Sequence, residues 1–225
     1  MMKRRKIVVP PMPTFEELEE ARRRFEEYEP RDLFYKAATE LVALALDGKT
    51  KLSVAESLAV LLQTWNAMHY RFHPFDREHF DAIETVTSLY HPDLIAFRSR
   101  SIASFTPDDT IAIKELFGDF ELVLGPVGAA KALHLWAPKF FPLWDRAIAK
   151  AYGIYLGSAG QNSDEYLQFM EVAASQVSHA LSDRQCDEVL KRIDEYNYCR
   201  FTKGWLGSSE AVPGVGRPEP VAVLR

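Results

Sequence analysis

Helix-start signals recur along the chain, and they constrain its fold more than any other feature of the sequence. Thr14-Phe-Glu-Glu17 and Ser53-Val-Ala-Glu56 are capping boxes, in which a hydroxyl and a carboxylate satisfy N–H groups that a first helical turn leaves free. Thr106-Pro-Asp-Asp109 places proline at the first helical position and acids at the positive end of the helix dipole. The one β-branched run, Ile7-Val-Val9, is ended by Pro10. The pattern predicts an all-α fold.

Apolar periodicity between these signals predicts where the helices run. In the first half of the chain we expect helices at residues 16–28, 33–46 (capped by Asp32), 57–72, 76–90 and 91–98. In the second half we expect a helix from Thr106 to near Gly118, then helices at about 120–124, 129–136, 143–152, 163–181 and 183–197, and a last turn to Trp205. The helix at 57–72 is apolar on most faces, so we place it at the centre of a helical bundle.

The length of 225 residues suits one large domain with an ample core. We expect an extended N-terminal arm at residues 1–13 and a single helical domain with two lobes at 14–207. The segment 208–225 has loop-type residues and little to bury, so we expect a loose C-terminal tail.

Composition narrows the class of protein. Hydrophobic residues make up 47% of the chain, which is typical of a globular protein, and no apolar run reaches the roughly 18 residues of a membrane helix. The formal net charge of −5 argues against a strongly basic nucleic-acid binder but allows local basic patches. Two cysteines without a CxxC pair indicate a reduced, cytoplasmic protein. We expect a monomer that needs neither membrane nor cofactor.

The most informative stretch runs from Leu124 to Asp145. Leu124-Gly-Pro-Val-Gly128 reads as a tight turn that opens a helix, and such a turn presents unpaired backbone N–H groups that suit a phosphate. A second break at Pro142 then delivers the carboxylate of Asp145 beside Trp144. The alternative interpretation is two ordinary helix connections, because glycine and proline commonly separate helices and Asp145 is a common N-cap residue.

Two amides lie on the helix predicted at 57–72. Gln63 and Asn66 flank Trp65 and are three residues apart, so on a helix they share a face. A core helix rarely carries two amides without partners for them. They therefore line a polar pocket or pair with a neighbouring helix, and the latter is the commoner case.

Several charged and titratable side chains are further candidates. His69 and His73 have the i, i+4 spacing that metals favour, with His79 nearby, but Pro74 breaks the helix and no HExxH motif is present. We expect surface histidines there and no metal site. Basic side chains that could contact phosphates, or could simply be surface charge, are Arg98, Arg100, Lys139, Arg146 and Lys150.

Common enzyme motifs are missing from the sequence. It contains no GxSxG nucleophile elbow and no P-loop. Gly125 and Gly128 do not follow a predicted strand, so the context of a dinucleotide-binding turn is also missing.

Taken together, these residues resemble the helix-hairpin-helix DNA glycosylase superfamily. That family shows a Leu-Pro-Gly-Val-Gly hairpin, followed by a helix with a small residue four positions on and then a catalytic aspartate at the next helix start. Here Leu124, Val127, Gly128 and Ala132 match the hairpin and its helix, within a motif at about 118–137, and Asp145 after Phe141-Pro142 matches the aspartate. Gln63 falls where the family often has a glutamine. The resemblance spans residues 31–205, and its specific part covers about twenty residues.

The resemblance implies a DNA N-glycosylase that flips a damaged or modified base out of double-stranded DNA and excises it. Hairpin amides and cations would hold phosphates, and an aspartate would stabilise the positive charge that develops on the sugar. The roles that follow are catalysis for Asp145, base binding for Gln63, Trp65, Asn66 and Trp144, and DNA contacts for Gly125, Val127, Gly128, Ala129, Lys139 and Arg146. Two cysteines cannot hold an iron–sulfur cluster.

The sequence departs from the family pattern at the hairpin. Glycine and proline are exchanged at 125 and 126, and the interval from Gly128 to Asp145 is shorter than usual. Bifunctional members carry a lyase lysine in the slot that Ala130 fills here. Lys131, the other candidate catalytic residue, is one position further, which rotates a helical side chain by about 100°. We therefore expect hydrolysis of the glycosidic bond without lyase activity.

Two other classes of function stay open at this point. A non-catalytic helical module that binds DNA or protein is favoured by the net charge and by the altered hairpin. A hydrolase or metal protein built around His69, His73 and His79 is a third reading. A glycosylase needs a positively charged groove around residues 125–150, whereas a scaffold does not.

Overall fold

The computed structural model describes residues 10–180 and 188–206, and the described chain is all-α, as predicted. No strand occurs in these residues. The helices, in chain order, are α1 Phe15–Tyr28, α2 Asp32–Leu46, α3 Val54–Trp65, α4 Ala67–Tyr70, α5 Arg77–Leu89, α6 His91–Arg98, α7 Thr110–Trp136, α8 Arg146–Ala151, α9 Ser163–Ala180 and α10 Val189–Asn197. Two short 3₁₀ turns, Ile102–Ser104 and Pro107–Asp109, precede α7, and a π-helical turn, Tyr198–Lys203, follows α10.

The predicted capping boxes begin their helices. Thr14 and Ser53 each accept a hydrogen bond from the third helical residue, whose glutamate reaches back to the cap. Asp32 does not cap α2 as predicted, because it lies inside the helix and its carboxylate pairs with Lys36 at 2.9 Å. One turn of helix separates these two residues, and this i, i+4 spacing favours the ion pair.

Helix α7 lies at the centre of the molecule and packs against α2, α3, α5, α6 and α9. Its buried side chains face in most directions, among them Phe117, Phe120, Leu124, Leu133 and Trp136. The sequence placed the central helix at 57–72 instead. The observed centre is the helix that carries the hairpin residues.

The structure corrects the predicted ends of three helices. Gly118 does not end a helix, because α7 continues through it and a Cβ there would lie only 3.2 Å from Ser163 Oγ. Glycine at this position permits α9 to approach α7 closely. The break comes at Gly125, whose φ of +70° is accessible to glycine and separates the helical segments 110–124 and 126–136. Helix α3 ends at Trp65 rather than 72, and α8 begins only at Arg146.

The predicted domain limits stay predictions. Residues 10–13 of the predicted arm have no regular secondary structure, and Pro11 O accepts a hydrogen bond from Gln176 Nε2 at 2.7 Å. Residues 1–9 and the predicted tail at 208–225 lie outside the described residues, and the division into two lobes stays a prediction. Among the described helices, none combines the length and the apolar character that crossing a membrane requires.

Candidate functional site

Two connected depressions meet beside the break in α7. We call the first the inner cavity; it has a volume of about 80 Å³ and is lined by Phe25, Glu29, Arg31, Asp32, Tyr35, Trp65, Lys131, Leu143, Trp144, Asp145, Ile148, Lys191, Asp194 and Tyr198. We call the second the groove; it has a volume of about 620 Å³ and is lined by Arg31, Thr64, Trp65, Asn66, Ala67, His69, Phe72, His73, residues 124–128, Lys131, Asp145, Arg146 and Ala147.

Four side chains line both spaces and so form the mouth of the inner cavity: Arg31, Trp65, Lys131 and Asp145. The sequence analysis identified three of them in separate parts of the chain. Trp65 lies on the helix predicted at 57–72, Lys131 on the helix after residues 124–128, and Asp145 at a predicted helix start. The fold brings them together because α3 packs against α7, and the first residues of α8 line the groove beside the break.

Asp145 is the N-cap residue of α8, and both of its carboxylate oxygens are held. Oδ1 accepts a hydrogen bond from Ile148 N at 2.7 Å, and Oδ2 accepts one from Thr202 Oγ1 at 2.8 Å. A half-buried carboxylate held from two sides has a fixed direction. The carboxylate faces the cavity mouth. Because it is already oriented, it could interact with a positive charge on a bound ligand without moving.

The chain before Asp145 is anchored by side chains of the core. Trp144 Nε1 donates to Pro126 O at 2.9 Å, which ties the predicted pocket residue Trp144 to the break in α7. Tyr166 Oη donates to Pro142 O at 2.9 Å. These bonds fix the short irregular segment that separates α7 from the carboxylate of Asp145.

His134 adds a third anchor that the sequence analysis did not identify. Its Nδ1 lies 2.7 Å from Phe141 O, and its Nε2 lies 3.0 Å from Tyr35 Oη. Burial lowers the pKa of His134 to about 3, so the ring is neutral, and because a carbonyl can only accept, the proton lies on Nδ1. Tyr35 then donates to Nε2. The signal was a lone histidine in the apolar run Leu133-His-Leu-Trp136.

Lys131 points into the site, and the expectation of hydrolysis without lyase activity stays a prediction. Its Nζ donates to Trp65 O at 2.5 Å and lies 4.8 Å from the centroid of the Trp65 ring. Lys131 follows Gly128 by three residues and therefore shares its face, which meets the end of α3. Burial lowers the Lys131 pKa to about 8, although Asp145 opposes the shift. An amine with this pKa is partly neutral near pH 8.

Glycine is needed at positions 125 and 128 for two different structural reasons. Gly125 makes the break through its positive φ, and a Cβ there would lie 3.3 Å from His69 Nδ1. At position 128 a Cβ would lie 2.7 Å from Asn66 Nδ2 and 2.9 Å from Leu124 Cβ. Asn66 is buried and its Nδ2 lies 3.4 Å from Leu124 O, so this predicted pocket residue closes the break against α3.

Other predicted site residues are placed elsewhere. Gln63 lines neither the inner cavity nor the groove, whereas Asn66, the C-cap residue of α3, lines the groove. Ala129 is fully buried, which leaves it no surface for DNA. Lys139 is exposed but lies outside the groove, on the turn after α7. Val127 and Arg146 do line the groove.

The groove has an excess of positive charge. Its charged lining residues are Arg31, Lys131 and Arg146 against Asp145; because Arg31 is paired with Glu29 at 2.8 Å, the balance that remains is two positive charges to one negative. Two other proposed phosphate contacts are engaged elsewhere: Arg98 donates to Trp136 O at 2.5 Å, and Arg100 makes two hydrogen bonds of 2.7 Å to Asp109. The net charge of −5 is therefore unevenly distributed, and the groove differs from the chain as a whole.

The histidines lie at one edge of the groove. The rings of His69 and His73 stack with centroids 4.3 Å apart, and His79 Nε2 lies 3.0 Å from Tyr70 Oη. Burial, followed by the positive charge of His73, lowers the pKa of His69 to about 4. Within the described part of the chain, no group of three or more His, Cys, Asp or Glu side chains is arranged to hold a metal ion.

Deep in the inner cavity lies a buried ionic cluster around Lys191. Its Nζ lies 3.3 Å from Asp194 Oδ2, 3.7 Å from Asp32 Oδ1 and 3.7 Å from Glu195 Oε1. Burial alone would lower the Lys191 pKa, but Asp194 and Glu195 raise it above its usual value. The sequence analysis did not identify this cluster, because it joins Asp32 on α2 to residues of α10 that lie more than 150 positions further along the chain.

Comparison with known protein families, with curated proteins and with solved structures found no match for this chain.

Proposed function

We propose that the protein is a DNA N-glycosylase that flips a damaged or modified base out of double-stranded DNA and excises it. The observation that supports this most strongly is the position of Asp145, at the boundary between a groove with more basic than acidic side chains and a small cavity lined by aromatic rings. Chemistry at a glycosidic bond needs this arrangement, because the base must be enclosed while the sugar and phosphates stay in the groove.

The groove has the features of a phosphate-binding surface. The segment 126–136 begins a new helical run at Pro126, so the positive end of its helix dipole lies at the break. Val127 and Gly128 lie on the groove wall at this point, and Arg146 lies opposite. Backbone amides and a guanidinium bind phosphates independently of base sequence, which suits an enzyme that searches DNA.

The inner cavity has the size and lining for one base. Its volume of about 80 Å³ is much smaller than the 620 Å³ of the groove, so a base that enters it would leave its sugar and phosphates in the groove. Aromatic rings of Phe25, Tyr35, Trp65, Trp144 and Tyr198 line it. Rings of this kind stack on any base through its π face.

Asp145 would act on the sugar that remains at the mouth. Breaking the bond between C1′ and the base leaves positive charge on the sugar, and a fixed carboxylate stabilises that charge. The same carboxylate can orient an attacking water. Because its oxygens are already held by Ile148 N and Thr202 Oγ1, Asp145 needs little rearrangement as the charge develops.

Lys131 supports a second activity, in which an amine rather than water attacks the sugar. The neutral amine would form a bond from Nζ to C1′ while the base leaves with the electron pair of the C1′–N bond and takes up a proton. Loss of a proton from Nζ and opening of the sugar ring then give an iminium that joins enzyme and DNA. The lowered pKa of Lys131, about 8, and its place at the mouth favour this step.

A panel of duplexes, each with one damaged or modified base, tests the proposal. We expect the full-length protein to release at least one of these bases, leaving an abasic site that alkali cleaves. Borohydride added during the reaction separates the two mechanisms. A covalent protein–DNA adduct indicates attack by an amine, and an abasic site without an adduct indicates hydrolysis.

A non-catalytic helical module is the competing function, and the same panel distinguishes it. Such a module would bind duplex DNA through the groove, or would bind protein, without making abasic sites. Binding of DNA without excision of any base on the panel would favour the module over the enzyme.

A further inference from the structure

Asp145 is held more firmly than its role as a helix cap requires. An N-cap side chain needs one oxygen that accepts from the first turn, and Asp145 Oδ1 does this by accepting from Ile148 N at 2.7 Å. Asp76, the N-cap of α5, accepts only from His79 N among the described residues. Asp145 Oδ2 accepts a second hydrogen bond, at 2.8 Å, from the hydroxyl of Thr202, which lies 57 positions further along the chain. Capping of α8 does not account for this second bond.

Thr202 belongs to a rare form of helix. Helix α10 continues into the π-helical turn Tyr198–Lys203, and turns of this kind are uncommon and often occur at functional sites. The turn ends at Gly204, whose φ of +68° is accessible to glycine and whose N–H donates to Cys199 O. The turn packs against α8, the helix that Asp145 caps. The position of the Thr202 hydroxyl is therefore set by a closed turn and not by a free loop.

The same turn holds a second group at the mouth of the inner cavity. Tyr198 and Thr202 are four residues apart, about one helical turn, so they lie on the same face of the π-helical turn. Tyr198 Oη donates to Glu29 and accepts from Arg31 Nη2 at 2.7 Å. Arg31 lines the mouth together with Asp145. One turn thus fixes both a guanidinium and a carboxylate at the mouth.

The Thr202 hydroxyl restricts the carboxylate without blocking it. A carboxylate oxygen has two lone pairs, so one hydrogen bond to each oxygen of Asp145 leaves a lone pair free on both. Because both oxygens are held, the plane of the carboxylate cannot turn without breaking a hydrogen bond. A carboxylate that is already oriented stabilises a developing positive charge more than one that must first reorient.

We propose that Thr202 is a positioning residue for base excision, and that its hydroxyl fixes the plane of the Asp145 carboxylate relative to the sugar of a flipped nucleotide. This inference rests on the proposed function, because it concerns the carboxylate that would act on that sugar. Thr202 itself lines neither the inner cavity nor the groove, so it acts on the reaction only through Asp145.

A positively charged sugar analogue tests this inference by binding alone. Two duplexes differ in the single ring that replaces the deoxyribose of an abasic site: a tetrahydrofuran, which is neutral, or a pyrrolidine, which is protonated at neutral pH. The ratio of the two dissociation constants measures how well the site interacts with a positive charge on the sugar. We expect the unaltered full-length protein to bind the pyrrolidine duplex at least about tenfold more tightly, as enzymes bind analogues of a transition state.

Two substitutions at position 202 separate the hydroxyl from the shape of the side chain. Thr202→Val replaces the hydroxyl by a methyl group, and we expect the preference for the pyrrolidine duplex to fall by at least about fivefold, with little change in binding of the neutral duplex. Thr202→Ser keeps the hydroxyl and should keep the preference. Thr85→Val is the matched control, because the Thr85 hydroxyl donates to Asp81 O within α5 and should leave the preference unchanged.

A double-mutant cycle shows whether Thr202 acts through Asp145. Asp145→Asn removes the negative charge, so this variant should bind the two duplexes about equally. Adding Thr202→Val to Asp145→Asn should then change the ratio no further, because two residues that act as one unit are not additive. A further fall of the ratio in the double variant would mean that Thr202 acts by a route other than the carboxylate, and would overturn the inference.

The outcomes separate this inference from the proposed function. A preference for the pyrrolidine duplex that survives in Thr202→Val overturns the inference and leaves the proposed function in place. If the unaltered protein binds both duplexes equally, or binds neither, the proposed function fails and the inference fails with it. Thr202→Ala, which loses the hydroxyl together with one methyl group, makes the same test if the valine variant does not fold.

Discussion

At the scale of single residues, Asp145 has a structural role and a proposed chemical role that one substitution separates. An asparagine at 145 can still accept from Ile148 N, and its amide can donate to Thr202 Oγ1, which rotates to accept. We expect Asp145→Asn to change the melting temperature by no more than a few degrees in thermal unfolding. Asp76→Asn is the control, because Asp76 caps α5 in the same way, accepting from His79 N at 2.9 Å. A large loss of stability in Asp145→Asn alone would make the carboxylate chiefly structural.

The pH dependence of Lys131 is a second prediction at this scale. With a pKa of about 8, the neutral fraction of the amine rises from about a tenth at pH 7 to about nine tenths at pH 9. If Nζ attacks the sugar, the initial rate of borohydride trapping should rise about tenfold over this range. A rate that is flat between pH 7 and pH 9 would exclude the amine as the group that titrates.

The control for Lys131 removes only the charged end of the side chain. Lys131→Met keeps most of the buried stem and should abolish the trapped adduct. Lys150→Met, at an exposed position on α8, should leave trapping unchanged. An adduct that persists in Lys131→Met would assign the attack to a different amine.

At the scale of helices, the break in α7 depends on glycine at 128. A Cβ there would lie 2.7 Å from Asn66 Nδ2 and 2.9 Å from Leu124 Cβ, so Asn66 must move and lose its contact with Leu124 O. We expect Gly128→Ala to lower the free energy of unfolding by about 1–3 kcal/mol in denaturant titrations, the usual cost of overpacking. DNA binding should weaken as well, because the displaced Asn66 lines the groove.

Gly118→Ala serves as the comparison within the same helix. Its Cβ would meet only Ser163 Oγ, at 3.2 Å, and alanine favours a helix by about 1 kcal/mol over glycine. We therefore expect a change in stability well below that of Gly128→Ala. Equal losses of unfolding free energy in the two variants would mean that a methyl group is disfavoured at either glycine of α7. The close packing of Asn66 against Gly128 would then have no particular importance.

The sequence was a good guide to elements and a weaker guide to their limits. Capping boxes are local, so the starts of α1 and α3 could be predicted from four residues each. Gly118 was wrongly predicted to end a helix, because a helix can contain glycine where another helix packs closely against it. The sequence alone does not show that α9 packs there. Gly125 was correctly predicted as a break, because several turn-forming residues coincide there.

The candidate site was predictable on one wall only. Trp144, Asp145 and the hairpin lie within about twenty residues of one another, so a motif could join them. The opposite wall, with Asp32, Lys191 and Asp194, comes from helices α2 and α10, and only the tertiary fold brings these together. No spacing rule connects residues so far apart in the chain.

At the scale of the whole molecule, a net charge of −5 limits how much DNA the surface can engage. The groove offers few cations, so we expect a shallow dependence of log K on log salt, with a slope of about −0.9 for each phosphate contact. Arg146→Gln should reduce the magnitude of that slope by about one and weaken binding to all duplex sequences alike. An unchanged slope would place the DNA on another face of the molecule.

Base excision by the unaltered protein and by Asp145→Asn shows directly whether the carboxylate of Asp145 acts on the sugar. On the duplex of the panel that the unaltered protein cleaves best, abasic sites are counted under single-turnover conditions. The account predicts a loss of about 100-fold or more in Asp145→Asn, because the fixed charge that stabilises the sugar cation is gone, while Asp76→Asn stays at the rate of the unaltered protein. A folded Asp145→Asn protein that excises at the full rate, or an unaltered protein that excises no base from any duplex of the panel, would contradict it.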